Sequence, residues 1–178
     1  MSFAVGDVQA IQFPDKIFDR VTAMHMLYHV SDIDEAIREI ARVIKPDGLV
    51  LISANSTYSK PALTELKAQV AKTLGRNAYP DVTARFNIES GLPYVQKHFA
   101  KTEVIRFVSQ LELTTPKPYV DYFDSTREFW QPKVSDSEWK KALFLVQDYM
   151  ATTIKKNDGI FREPNIFGII LALVVEKL

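Results

Sequence analysis

The sequence contains no cysteine and little glycine, and each shortage excludes a class of chemistry. Without cysteine, the chain can form no disulfide, no thiolate metal site and no cysteine nucleophile. Its six glycines are scattered, and the two nearest, Gly159 and Gly168, are nine positions apart. Loops that bring backbone N–H groups against a phosphate or a dinucleotide need clustered glycines. The sequence therefore predicts neither a P-loop nor a dinucleotide-binding loop.

The sequence also lacks an excess of charge and a long apolar run. Lysine plus arginine and aspartate plus glutamate both number 22, and this balance argues against a nucleic-acid or membrane partner bound through bulk charge. The longest apolar run, 166–175, is about half of what a membrane-spanning helix needs. A signal peptide would show a basic segment followed by an apolar run, and the N-terminal residues do not have this pattern. We expect a soluble cytoplasmic protein, and the lack of cysteine is compatible with that reducing compartment.

The pattern of the first half predicts a strand–helix–strand unit. Its elements are a short strand at Phe3–Val5, a strand at Phe18–Met24, a helix opened by a Ser31/Asp34 capping box, a turn at Lys45–Gly48 and a strand at Leu49–Ile52. Isoleucines at helical spacing form the inner face of the helix, and Glu39 is expected on the outer face. Two strands joined so closely through a helix are expected to be parallel, with a right-handed crossover.

The second half predicts four helices and two strands. The elements are helices at about 60–74 and 92–99, an edge strand at about 105–113, a short aromatic helix at 118–130, a long helix opened by a Ser135/Glu138 capping box, and a last strand at 167–175. The last strand is apolar on both faces, so we expect it inside the sheet. The predicted fold class is α/β with a mixed sheet.

Several sequence blocks in the first third resemble one known family. The blocks are Val5–Gln9 with Phe13–Val21, Ala23–Val30, Ile37–Ile40 and Lys45–Gly48. In this order, over about residues 3–55, they resemble class I S-adenosylmethionine-dependent methyltransferases of the small-molecule branch called methyltransferase type 11. The resemblance implies a Rossmann-like fold that ends in an antiparallel strand pair. It also implies transfer of a methyl group from S-adenosylmethionine to a small molecule.

The resemblance assigns roles to five residues. An aspartate placed like Asp7 accepts a hydrogen bond from the adenine amino group, and the next backbone N–H, that of Val8, meets an adenine ring nitrogen. Met24 and His25 stand where the backbone lines the methionine end of the cofactor. His29 matches a common family histidine and is implied near the methyl acceptor as the candidate catalytic residue. No metal ligand set is implied.

The chain departs from the family at its front. The family's acidic residue with its Gly-x-Gly loop, and a second acidic residue that holds the ribose, have no counterpart here. The resemblance therefore implies an incomplete, N-terminally truncated methyltransferase-like domain over 1–178, with helical cap elements at about 60–99 and 116–156. We expect it to bind cofactor weakly or not at all by itself. The alternative is a non-catalytic remnant that serves as an oligomerisation or regulatory module.

The family strand order, 3-2-1-4-5-7-6, implies an exposed edge. Without strands 1 and 2, the strand at Phe18–Met24 has no partner on one side, and an exposed apolar edge invites pairing. We expect either that the N-terminal strand moves beside it or that two chains pair there as a homodimer.

Other readings of the polar and aromatic residues stay open. Asp7 can also cap its own turn. His25 and His29, four positions apart, could share a helical face as a metal pair, but no third ligand is evident. Asp32 and Asp34 are either helix N-terminal charges or acid–base groups. Asn55–Thr57 either cap a loop or bind substrate. The aromatic residues of the next set form either core or an apolar lid: Tyr119, Tyr122, Phe123, Phe129 and Trp130. A Gly-x-Ser-x-Gly elbow is absent, which excludes an α/β-hydrolase.

Overall fold

The computed structural model describes residues 2–76, 82–130 and 133–174. Its strands are β1 (Phe18–Met24), β2 (Ile44–Asn55), β3 (Lys101–Leu113) and β4 (Phe161–Leu173). Its α-helices are α1 (Ile33–Val43), α2 (Pro61–Thr73), α3 (Ile88–His98), α4 (Lys117–Ser125) and α5 (Asp136–Lys156). Short 3-10 helices lie at Leu27–His29, Val82–Arg85 and Arg127–Phe129.

The four strands form one mixed sheet in the order β1-β2-β4-β3. β1 and β2 are parallel, and β2 and β4 are antiparallel. The predicted α/β class, the parallel strand–helix–strand unit, the inner position of the last strand and the edge position of β3 are confirmed. Residue 175, where the last strand was predicted to end, lies outside the described residues. This order corresponds to strands 4-5-7-6 of the family sheet, whose full order is 3-2-1-4-5-7-6.

The predicted strand at Phe3–Val5 is wrong. Residues 2–6 form no secondary structure, and the side chains of Phe3 and Val5 are 87% and 105% exposed. β1 hydrogen-bonds to β2 and, among the described residues, to no other strand. The N-terminal segment has therefore not moved into the sheet beside β1. Three residues without a ladder partner leave their N–H and C=O groups to water, so no strand forms there.

The first turn of α1 differs from the predicted capping box. Asp32, not Ser31, is the N-cap, and its carboxylate accepts a hydrogen bond of 3.0 Å from the Glu35 N–H. The Ser31 hydroxyl donates instead to Gln9 Oε1 at 2.8 Å, which removes it from the helix end. The reading of Asp32 as a helix N-terminal residue is therefore confirmed in its simplest form.

The turn between α1 and the main part of β2 shows why its glycine is needed. A Cβ on Gly48 would lie 2.5 Å from Ile44 Cγ1, closer than side chains can approach. Asp47 adopts a left-handed conformation with φ of 61°, which aspartate tolerates better than most residues. The predicted turn at Lys45–Gly48 therefore has a backbone that aspartate can adopt at position 47.

Contacts divide the chain into two compact units, which we describe separately. The first contains residues 2–59, 82–108 and 166–174. Its core joins α1, α3 and the sheet, and its fully buried members include Ile37, Ile52 and Ile170. The prediction of one domain over the whole chain is not tested by this division and stays a prediction.

The second unit contains residues 60–76, 109–130 and 133–165. Its core is formed by one face each of α2, α4 and α5, with Leu66, Phe123 and Val146 fully buried. The predicted Ser135/Glu138 capping box of α5 is confirmed: the Glu138 N–H donates to the Ser135 hydroxyl, and the Ser135 N–H donates to the Glu138 carboxylate. In the stretches that the structure describes, no helix is both long and apolar enough to cross a bilayer.

Candidate functional site

The parallel strands β1 and β2 end side by side and place their following loops together. Met24 pairs with Ser53 in the register of the two strands. His25 follows β1 in a left-handed conformation with φ of 49°, and its N–H donates to both the carbonyl and the hydroxyl of Ser53, at 3.1 Å each. An open α/β sheet keeps its ligand sites at this carboxyl end. The two residues implied at the methionine end therefore lie where such a site is expected.

His29 lies in the 3-10 helix that follows His25. Its side chain is exposed, and its ring lies 4.4 Å from the half-buried Tyr28 ring, whose pKa is raised by burial. The short 3-10 helix begins after His25, so the two histidines do not share an α-helical face. Within residues 2–76, 82–130 and 133–174, no three histidine, aspartate or glutamate side chains are grouped to hold a metal ion.

A groove of about 440 Å³ lies between the N-terminal segment and β1. Its walls are residues 4–8, 11–13 and 21–23 with Met26 and Ile40. Its volume is in the range of about 300–1,000 Å³ that small-molecule sites occupy. The structure brings Asp7 and Val8 together in this groove, whereas Met24, His25 and His29 do not line it.

Asp7 caps its own turn while remaining exposed to the groove. Its carboxylate accepts a hydrogen bond of 2.9 Å from the Gln9 N–H, and its carbonyl accepts one of 3.1 Å from the Ala10 N–H. The turn reading is therefore present in the structure. The second carboxylate oxygen has a contact of 3.4 Å with the Gln9 amide. The adenine role of Asp7 remains a prediction.

A buried ion pair on α1 fixes the segment that forms the groove. The Glu39 carboxylate accepts hydrogen bonds from the Ile11 N–H at 3.0 Å and from Arg42 Nε at 2.9 Å. The Arg42 guanidinium donates in turn to the carbonyls of Ile11 and Phe13 and to Asp15. The predicted outward position of Glu39 is wrong: only 6% of the residue is exposed.

These contacts explain how Glu39 stays ionised although it is buried under the segment around Ile11. The hydrogen bonds from Arg42 lower the pKa of Glu39 to about 2, and the Ile11 N–H contributes, although burial opposes them. The carboxylates of Glu39 and Asp15 in turn raise the pKa of Arg42. The hydrophobic pattern alone could not locate this pair, but the Glu-x-x-Arg spacing on α1 is the signal that would have indicated it.

The loop after β2 is occupied by structural hydrogen bonds. The Ser56 hydroxyl and the Thr57 N–H each donate to the Glu89 carboxylate of α3 at 2.9 Å. Burial raises the pKa of Glu89, but these hydrogen bonds outweigh it and the net shift is downward. Ser56 and Thr57 therefore anchor the loop, which is the simpler of their two predicted roles. In the described part of the chain, no group hydrogen-bonds to the side chain of Asn55.

The aromatic residues at 119–130 divide into core and surface. Tyr119, Phe123 and Trp130 are buried in the second unit, at 5%, 1% and 3% exposure. Tyr122 and Phe129 are 45% and 60% exposed. Three of the five candidate lid residues are thus core residues, as the helical spacing also allowed. Sequence reasoning missed the Phe107–Phe167 pair, whose rings stack at 4.9 Å beside His25 in the first unit.

The groove suits the adenosine end of the implied cofactor. A carboxylate that can accept from an amino group stands next to a backbone N–H at the Asp7–Val8 turn, and apolar residues such as Ile11 and Met26 line the remaining wall. This donor, acceptor and apolar set matches an aromatic base with a ring nitrogen and an exocyclic amine. The residues present therefore fit the adenine part of S-adenosylmethionine.

The first 52 residues match a known family, and longer stretches match individual proteins. The Methyltransferase domain family matches residues 1–52. The ubiquinone/menaquinone biosynthesis C-methyltransferase UbiE of Cupriavidus pinatubonensis is 32% identical over 127 residues, covering 69% of this chain and 49% of that protein. The uncharacterized methyltransferase YcgJ of Bacillus subtilis is 38% identical over 63 residues, covering 35% and 25%. The chain thus spans about half, or less, of these curated relatives.

Solved structures share the fold. The crystal structure of the YcgJ protein superposes with a TM-score of 0.57 at 17% identity, over 97% of this chain and 70% of that chain. A protein described as a methyltransferase from an antibiotic biosynthesis pathway of Anabaena variabilis gives a TM-score of 0.65 at 16% identity, over 96% and 72%. At identities this low, the likeness establishes the Rossmann-like fold alone.

Proposed function

Because this chain belongs to the class I S-adenosylmethionine-dependent methyltransferases, we propose that it forms the carboxyl-terminal part of an enzyme that methylates a small molecule. The family's cofactor is S-adenosylmethionine, which supplies an electrophilic methyl group. The observation that supports the proposal best is the groove at Asp7 and Val8, because it carries the acceptor, the donor and the apolar wall that an adenine ring needs. The relatives of similar sequence are longer than this chain, and their matched parts are 49% and 25% of their own lengths.

The roles proposed for the chain's own residues are binding and orientation. Asp7 and Val8 hold the adenine, and the backbone at Met24 and His25 faces the methionine end. The Glu39–Arg42 pair keeps the groove-forming segment on α1. His29 is proposed as the group nearest the acceptor. Methyl transfer proceeds by in-line displacement, so positioning of the acceptor and exclusion of water supply much of the catalysis.

We further propose that the isolated chain binds cofactor only weakly. No two of its glycines lie closer than nine positions apart, so it offers no glycine-rich loop to hold the methionine part. Binding then depends on the adenine contacts alone. We propose that this loop is supplied by sequence that the chain does not contain, which makes the chain a piece of an active enzyme.

The proposed site can be located by an NMR titration with S-adenosylhomocysteine at millimolar concentration. We expect amide shifts concentrated at Asp7, Val8 and Ile11. Asp7→Ala should remove them, and Asp7→Asn, which retains an oxygen acceptor, should restore part of them. The matched control is Asp19→Ala, since Asp19 is an exposed aspartate paired with Lys45. Shifts that spread elsewhere, or that persist in Asp7→Ala, would contradict the proposal.

A homodimer through β1 is part of the proposal. β1 stands at one edge of the sheet in the described part of the chain. Large apolar side chains near it are exposed, among them Phe13 at 50%, Ile17 at 42% and Met24 at 45%. An edge with unpaired N–H and C=O groups and apolar neighbours favours pairing with a second copy.

A further inference from the structure

A second cavity, unrelated to the groove at Asp7, lies wholly within the second unit. It has a volume of about 240 Å³ and is lined mainly by Leu63 of α2, Leu111 and Leu113 of β3, and Pro118 and Tyr122 at α4. We propose that this cavity binds a small aromatic carboxylate, held at its polar end by Lys60 and the hydroxyl of Tyr119.

The apolar walls define the body of the ligand. Three leucines, a proline and the faces of two tyrosines leave no polar side chain along most of the surface. A pocket of this composition gains affinity by removing apolar surface from water. Because the cavity is small and two of its walls are tyrosine rings, a flat ring fills it better than a long chain.

The Tyr119 hydroxyl supplies the first polar contact. Tyr119 lines the cavity, is 5% exposed, and its ring packs edge-on against Phe161 at 5.5 Å. Among the residues that the structure describes, its buried hydroxyl has no hydrogen-bond partner. Buried polar atoms of native proteins are nearly always paired, and an orphan indicates a partner that the protein itself does not provide. An oxygen of a bound ligand would be such a partner.

Lys60 supplies the second polar contact. It lines the cavity at the N-cap of α2, where its backbone is fixed in a left-handed conformation (φ 51°, ψ 58°) by an N–H bond of 2.8 Å to the Pro164 carbonyl. Of the described residues that line the cavity, it is the one with a charged side chain. Among the described residues, no carboxylate lies within 4.0 Å of its ammonium group. A cation and an unpaired hydroxyl that line the same cavity favour a ligand with an anionic oxygen.

Glu163 limits where that anion can sit. Its carboxylate accepts a hydrogen bond of 3.2 Å from the Ala62 N–H in the first turn of α2, while its other oxygen is buried and has no partner among the described residues. Burial raises the pKa of this carboxyl, and Lys60 opposes the rise. The helix N-terminus is therefore already occupied by a protein carboxyl group. A ligand anion must bind through Lys60 and Tyr119, not through the end of α2.

The test compares two probes that share a ring and differ in charge. We expect 2-naphthoate to shift the amides of Leu63, Tyr119 and Tyr122 in an NMR titration, and 2-naphthalenemethanol to bind at least about five-fold more weakly. Lys60→Met, which keeps the apolar stem, should weaken naphthoate binding about five-fold and leave the alcohol unchanged. Tyr119→Phe should weaken naphthoate binding by roughly three-fold or more.

Matched controls separate these effects from damage to the fold. Lys72→Met on α2 and the exposed Tyr58→Phe should leave naphthoate affinity unchanged, and urea unfolding reports whether each variant is folded. The proposal is overturned if the two probes bind equally, if neither shifts these amides at millimolar concentration, or if the Lys60 and Tyr119 variants bind naphthoate like the controls. The S-adenosylhomocysteine titration reports on the first unit, so failure of one proposal leaves the other to be judged by its own result.

Discussion

The ionised side chain of Glu39 shows what a single residue contributes to the candidate site. It is 6% exposed on α1, and its carboxylate is satisfied by Arg42 and by the Ile11 N–H. Charged groups inside a protein persist only when paired and hydrogen-bonded. A helical hydrophobic pattern places every charge on the outer face. The sequence could therefore predict the inner positions of Ile37 and Ile40 but not that of Glu39, whose partner Ile11 lies in a distant loop.

The lowered pKa of Glu39 predicts a defined dependence of stability on pH. Since its pKa is about 2 in the folded chain against a usual 4.5, the ionised form is favoured by folding. This contribution is complete above the usual pKa and is lost as pH falls from about 5 towards 2. Glu39→Gln should therefore flatten the fall of the urea midpoint over that range.

The control for this prediction lies one turn away on the same helix. Glu35 pairs with Arg38 but is more exposed, with 36% of its side chain accessible. Glu35→Gln should change the slope of the urea midpoint against pH less than Glu39→Gln does. Equal slopes for Glu39→Gln and the unaltered protein between pH 2 and 5 would show that the pair does not stabilise the fold in this way.

For helices and strands, sequence patterns predicted the structure correctly where the interacting residues are close in sequence. The capping box of α5 was predictable because Ser135 and Glu138 bond to each other. The start of α1 was not, since Ser31 is drawn to Gln9, 22 residues away. Likewise β1 was predicted with its observed bounds, while Phe3–Val5 has the composition of a strand but no neighbour to pair with. Long-range partners decide such cases, and one sequence does not reveal them.

The α5 cap provides a direct test of this view. Ser135→Ala removes the hydroxyl that accepts the Glu138 N–H, and we expect a loss of about 1 kcal/mol in the free energy of unfolding. Thr152→Ala, at an exposed position of the same helix, should leave the free energy of unfolding unchanged or slightly raised. The two variants are compared by urea titration. A loss of equal size in both would mean that the cap contributes nothing specific.

For the molecule as a whole, the order of the strands is the main evidence for the methyltransferase-like fold. β1, β2, β4 and β3 occupy the positions 4-5-7-6 of the methyltransferase sheet, and the parallel and antiparallel pairings agree. The strands themselves were predictable from the patterns of Phe18–Met24, Leu49–Ile52 and the last apolar run, whereas their order was implied by the resemblance to the family. The groove at residues 4–13 was not predictable, because it depends on side-chain contacts from α1.

The exposed β1 edge predicts self-association. Sedimentation velocity at tens of micromolar should detect a dimer. Thr22→Lys on β1 should shift the population towards monomer, because an edge lysine opposes strand pairing. Thr152→Lys on α5 is the matched control and should leave the dimer intact. A protein that sediments as a monomer throughout would refute the edge-paired homodimer.

Isothermal titration calorimetry with S-adenosylhomocysteine tests the proposal that this chain binds adenine in the groove of a methyltransferase sheet. The proposal also states that the chain has no glycine-rich loop to bind the rest of the cofactor. Affinity built on Asp7, Val8 and an apolar wall alone should be weak, because most of the usual contacts are missing. We expect a dissociation constant for S-adenosylhomocysteine in the millimolar range. A submillimolar dissociation constant for the isolated chain would contradict this expectation.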